Sequence, residues 1–286
     1  MPGVHPDRAR PDSAVVRMGT LDREGIAFSY LDRGAAAPFV FQHGLGGDAT
    51  QPYGLYHHGR RLVCLECRGH GATIPLGEPD RLTFATFAAD VLALMDHLDI
   101  ERALVGGVSM GAGVAARIAL DHPERLTGLI LVRPAWLDAP HPENLQIMEI
   151  VAGLLQQHDT DDALTALEGD PSYQAIAAQA PSAADSLRGQ FSRHLARERA
   201  AVLQRMPADQ PLPNGSRWAD ITTPTLVIAT RGDPIHPFAI AEAIAARIPT
   251  PRLREVPSRD MDPAAHTRET AAAIATFAAT TQDQRR

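Results

Sequence analysis

Two hydrophobic rhythms alternate along this chain. Runs of mostly apolar, often β-branched residues stand at IAFSYLD (26–32), PFVFQ (38–42), RLVCLE (61–66), RALVGGV (102–108) and LTGLILV (126–132). Their length and their near-continuous apolarity suit strands buried on both faces. Between them, in TFATFAADVLALMDHL (83–98) and MGAGVAARIALDH (110–122), apolar residues recur every three to four positions. That spacing predicts helices packed by one face. The alternation returns near the C-terminus, with strands at TPTLVIA (223–229) and RLREVP (252–257) and helices at PFAIAEAIAARI (237–248) and PAAHTRETAAAIATFA (263–278). AVVRM (14–18) adds an early strand. Strand, helix, strand in this order implies an α/β fold: a mostly parallel central sheet flanked by helices.

Residues 137–216 break the rhythm. ENLQIMEIVAGLLQQH (143–158) and ADSLRGQFSRHLARERAAVLQRM (184–206) are amphipathic at helical spacing, with no strand pattern between them. The Pro-rich flanks RPAWLDAPHPEN and MPADQPLPNG look like hinges. The pattern predicts a core of residues 1–136 and 217–286 interrupted by a helical lid at 137–216. The first dozen residues and TTQDQRR at the end are expected to fray.

Composition narrows the function classes. The chain has 286 residues, 44% hydrophobic and 21% charged, with a net charge of −7 and no lysine at all. That acidic balance argues against a nucleic-acid partner. The start, MPGVHPDRARPDSAVVRM, lacks the apolar stretch of a secretory signal, and no apolar run is long enough to span a bilayer, so a cytoplasmic protein without a membrane partner is expected. Cys64 and Cys67 form a C-x-x-C without a second pair to complete a metal site. If RLVCLE is a strand, the two thiols point to opposite faces. No cofactor or metal motif is expected elsewhere.

The chemistry concentrates in GGVSMGAG (106–113), at the seam between a strand and a helix. Gly107-Val108-Ser109-Met110-Gly111 has the G-x-S-x-G spacing of a nucleophile elbow. A serine on so tight a turn has strained backbone angles, and side chains two residues to either side would collide. Gly111-Ala112-Gly113-Val114-Ala115-Ala116 also fits a dinucleotide-binding pattern. That pattern should begin where the strand ends and be followed about 20 residues later by an acid. Here its first glycine falls inside the helix, and the chain at that offset reads LVRP.

With His43-Gly44-Leu45-Gly46-Gly47 after PFVFQ, Arg68-Gly69-His70-Gly71 after the next strand and DHPERLTGLILV after the elbow, the sequence resembles the α/β-hydrolase family over nearly all of the chain outside the helical insertion. The resemblance implies a Ser-His-Asp triad acting through an acyl-enzyme on a small molecule, without cofactor or metal. It implies an oxyanion hole made by the backbone N–H groups of Leu45 and Met110. It gives Ser109 as nucleophile and Asp233, in RGDPIHP after the strand TPTLVIA, as the acid, with Asp138 as competitor. His43 and His70 precede the serine, against the family order of serine, acid, histidine, and are read as loop braces. The slot in which the family's histidine usually stands holds Met261. Two histidines remain, His236 and His266. His266 is favoured, because it follows the acid and sits in the first turn of a helix opened by Asp262 and Pro263.

Serine at the elbow argues against mechanisms that use a carboxylate nucleophile. Esters, lactones and related acyl compounds with a small hydrophobic acyl part are the expected substrates. The elbow also resembles those of carbon–carbon-bond hydrolases, enol-lactonases and cofactor-free haloperoxidases. A ligand-binding receptor of low turnover is the reading from a different class, prompted by Met261. Trp136, Leu145, Met148 and Phe191 are expected as pocket walls.

Overall fold

The computed structural model describes residues 16–54, 59–213 and 215–283. Eight strands form one sheet in the order β1-β2-β4-β3-β5-β6-β7-β8. β1 (Val16–Arg23) and β2 (Ile26–Arg33) form an antiparallel hairpin, and β2 pairs antiparallel with β4 (Arg61–Leu65). From β4 onward, through β3 (Pro38–Gln42), β5 (Ala103–Val108), β6 (Leu126–Val132), β7 (Thr225–Ala229) and β8 (Pro251–Glu255), all pairing is parallel.

Strand alternation divides the interior into two layers. Leu129 and Leu131 of β6 face one layer with Val105 of β5, while Ile130 and Val132 face the other with Leu104 and Val108. Along that first face lie α1 (Phe84–His97), α2 (Met110–Asp121) and α8 (Phe238–Arg247). The second face is covered by α9 (Pro263–Asp283), through Ile274 and Phe277. Cys64 belongs to the second layer and Cys67 to the first, both fully buried and unpaired. Burial pushes both thiols up, Cys67 above the range in which it could ionise at ordinary pH, so neither is a ready nucleophile.

Between β6 and β7 the described residues form no strand. α3 (Gln146–Gln157), α4 (Thr160–Gly169), α5 (Pro171–Gln179), α6 (Pro181–Arg188) and α7 (Ala196–Arg205) follow one another, and α3 packs on α7. The pattern at 184–206, read as one amphipathic stretch, is two helices. Its break falls at Gly189 and at Leu195, whose φ of 54° is left-handed. α9 continues to Asp283, past the end expected from its apolar pattern and into the tail expected to fray; the first dozen residues, for which the same was expected, lie outside the described residues. No helix among the described residues is long and apolar enough to cross a membrane.

Candidate active site

Ser109 stands between β5 and α2 with φ 56° and ψ −115°, a conformation costing a non-glycine residue about 1–3 kcal/mol. The neighbouring glycines explain how it persists. A Cβ on Gly107 would lie 2.2 Å from the Gly111 carbonyl carbon, and one on Gly111 would lie 2.3 Å from the Gln42 carbonyl oxygen at the end of β3. Strand, turn and helix can approach this closely only without those side chains. The Ser109 N–H donates to the Val132 carbonyl at 3.0 Å, tying the turn to β6.

The serine hydroxyl meets His236, not His266. Ser109 Oγ lies 3.0 Å from His236 Nε2, and His236 Nδ1 lies 2.8 Å from Asp233 Oδ2. Because Asp233 is a carboxylate, Nδ1 carries the proton and donates, which leaves Nε2 to accept from the hydroxyl. The loop after β7 builds this contact locally. Asp233 Oδ1 accepts from the backbone N–H of Ile235 at 3.0 Å and of His236 at 3.1 Å, closing a turn that swings the imidazole back over its own acid. Pro237 then biases His236 toward extended backbone, away from α8.

His266 sits where the sequence put it, in the first turn of α9, but its ring is engaged elsewhere. Its Nδ1 lies 2.8 Å from the Pro257 carbonyl, and it touches neither Ser109 nor Asp233. The choice of His266 as the partner of Ser109 is therefore corrected to His236. Met261 is turned to solvent, 85% exposed. Asp138 is also set aside, since it pairs with Arg247 at 2.5 Å on the surface.

Electrostatics follow from burial and three charges. Burial favours the neutral acid at Asp233, but His236 and the Arg133 guanidinium outweigh it and hold the carboxyl well below the usual range. Burial lowers the His236 pKa; Asp233 pulls it up, while Arg133 and Arg259 push it down, and the net direction is down. His43 and His70 brace loops. His43 Nε2 accepts from the Cys67 N–H at 3.1 Å while Nδ1 donates to the Gly44 carbonyl. His70 Nε2 accepts from the Gly46 N–H at 3.0 Å while Nδ1 donates to the Arg68 carbonyl. Both rings are buried and neutral, their pKa values lowered chiefly by burial.

A cavity of about 80 Å³ opens at Ser109. Of the residues expected as pocket walls, Trp136, Leu145 and Met148 line it, with Leu45 beside them, whereas Phe191 is packed into the core and does not. The polar side chains of Gln51, Ser182, Ser186, Gln190, Arg133 and Arg259 also reach it, so the wall is less apolar than the sequence suggested. Met110 opens α2 directly after the serine. Among the described residues, neither the Leu45 nor the Met110 N–H donates to another group.

Comparison with known proteins agrees with this geometry at the level of the fold. Residues 37–261 match the family model of the alpha/beta hydrolase fold. A protein of Rhizobium rhizogenes provisionally named carbamate hydrolase RutD is 30% identical over 227 residues, covering 76% of this chain and 84% of that protein. 3-Oxoadipate enol-lactonase 2 of Acinetobacter baylyi is 32% identical over 122 residues, 41% of this chain and 45% of the enzyme. The chain spans less than half the length of several other curated relatives, such as 35% of an acetyltransferase component of the acetoin cleaving system of Cupriavidus necator. The crystal structure of the enol-lactonase from Burkholderia xenovorans superposes with a TM-score of 0.68 at 22% identity, covering 94% of this chain and all (100%) of that one. The elbow, the parallel sheet that carries it and the match over residues 37–261 have one meaning: this chain belongs to the α/β-hydrolase family.

Proposed function

We propose that the protein is a serine hydrolase that cleaves an ester, lactone or related acyl bond of a small molecule through the triad Ser109, His236 and Asp233. The observation that carries this reading is the continuous hydrogen-bonded chain, 3.0 Å from serine to imidazole and 2.8 Å from imidazole to carboxylate. His236 Nε2 takes the hydroxyl proton as Ser109 Oγ attacks the acyl carbon. Asp233 stabilises the imidazolium that forms. The N–H groups of Leu45 and Met110 receive the developing oxyanion, each worth about 3 kcal/mol in the transition state. The imidazolium then protonates the leaving group. The same histidine activates the water that releases the acid.

Helices α3 to α7 act as the lid, contributing Met148, Ser182 and Ser186 to the cavity wall. The relatives named for carbamate and enol-lactone substrates support acyl chemistry on a small molecule rather than a polymer. The receptor reading rested on the absent histidine at position 261, and His236 removes that motive. A fluorophosphonate probe should label Ser109 of the intact protein, and Ser109→Ala should abolish both labelling and ester turnover. Undiminished hydrolysis by Ser109→Ala would overturn the assignment.

A further inference from the structure

A second cavity of about 240 Å³ lies beside the first, lined by His266 and Thr267 of α9 among others. Gln51, Val108, Arg133 and Arg259 line both, so the two are adjoining spaces that share a wall. The charge along that wall is unbalanced. Asp233 is the one acid lining either cavity among the described residues, and it already serves His236 and Arg133. Against this single carboxylate stand two guanidinium groups, which never give up their charge.

Arg133 has a partial explanation in the triad. It follows β6 with a left-handed φ of 45°, and its side chain is only 13% exposed. One nitrogen, Nη1, reaches Asp233 Oδ2 at 3.3 Å, a long single contact that leaves the planar fork of the guanidinium unmatched. Arg259 has no such account. It is an exposed residue at the edge of both cavities, and it makes no ion pair or hydrogen bond among the described residues. The neighbouring carboxylates are engaged elsewhere: Asp260 accepts from the Ser182 N–H and hydroxyl, and Asp262 from the Ala265 N–H. Burial weighs most against the Arg133 charge, Asp233 offsets part of that, and the nearby Arg259 adds a smaller repulsion. The shared wall therefore holds a mostly buried guanidinium with one long contact and a solvent-exposed one with no carboxylate partner, a local surplus of positive charge.

We propose that the substrate carries a carboxylate, which Arg133 and Arg259 hold where the serine cavity meets the adjoining cavity. This rests on the hydrolase reading and names the substrate class of the same site. A carboxylate matches the guanidinium fork in shape and charge, and it restores the balance of the wall. Gln51, on the same shared wall, supplies a further neutral polar group. The acyl chain then runs along Val108 and the apolar lid residues, with its charged end beside the arginines.

The test compares para-nitrophenyl hydrogen glutarate with its neutral methyl-capped ester, each corrected for spontaneous hydrolysis. The wild-type protein should favour the carboxylate ester in kcat/KM by at least about 10-fold, the scale of one charge-assisted pair. Arg259→Glu should erase or reverse that ratio, chiefly through KM, and Arg259→Lys should retain part of it. An equal ratio in wild type and Arg259→Glu would overturn the carboxylate proposal while leaving the hydrolase reading intact. If neither ester is turned over and Ser109 resists fluorophosphonate, the hydrolase reading has failed. The carboxylate site is then judged by calorimetric titration of glutarate into the wild-type protein. Binding that weakens at least about 10-fold in Arg259→Glu supports the site, and absence of binding overturns it.

Discussion

His236 answers to four charged or polar neighbours at once, and its protonation should be readable in the rate. Burial, Arg133 and Arg259 all disfavour the imidazolium, and Asp233 alone favours it. The base form is the neutral ring, so kcat/KM should rise with pH through an inflection below the ordinary histidine value of about 6.5 and be level by neutral pH. Arg259→Gln removes one opposing cation and should move that inflection upward. A wild-type inflection above the ordinary value would contradict this account. His236→Ala should slow Ser109 labelling by about a thousand-fold or more, a far larger loss than His266→Ala causes. The proposed triad keeps Ser109 and Asp233 as motif and chain order singled them out, because a turn of that sharpness demands its glycines and an acid after β7 has few alternatives. The histidine could not be singled out in this way. Chain order admits both His236 and His266, and only the turn closed by Asp233 Oδ1 decides which imidazole returns to the carboxylate.

The elbow is a packing feature before it is a chemical one. Gly107 and Gly111 touch each other, and Gly111 touches the end of β3, at distances no Cβ could share. Gly107→Ala or Gly111→Ala should therefore destabilise the fold by about 2–4 kcal/mol in chemical denaturation, as expected for overpacking against backbone that cannot withdraw. A loss below about 0.5 kcal/mol would mean the turn has room to relax. Elements with strong periodicity were legible in the sequence. β5 and β6 read as near-continuous apolar runs because both faces are covered, and α1 reads as a helix with Thr83 accepting from the Thr86 N–H at its start. α4 and α5 went unseen. They are short, with few buried residues, and they begin at local signals: Asp159 capping α4, and Asp170 with Pro171 opening α5. Such helices are specified by caps and by the surface they cover rather than by an apolar stripe.

At the scale of the whole molecule, the buried imidazoles make stability depend on pH with a definite sign. His43 and His70 are almost wholly inaccessible, and each ring uses one nitrogen as donor and the other as acceptor to join the loops after β3 and β4. Protonation would convert each acceptor to a donor facing an N–H, so both pKa values are depressed in the folded state, chiefly by burial. The unfolded chain has no such constraint and takes up these protons near pH ~6.5. Stability is therefore fully present above that value and falls as pH drops below it, by about 1.4 kcal/mol per pH unit for each histidine that protonates only on unfolding. Asp233, held below its ordinary range, adds a loss of the same sign at lower pH. Arginine, the sole basic residue type besides histidine, does not titrate in this window. Denaturation measured from pH 7 to pH 5 should show a steep decline. His70→Gln should be less stable at pH 7, since its loop brace is gone, yet its stability should decline less steeply with acid. A His70→Gln profile parallel to wild type would show that the acid sensitivity resides elsewhere.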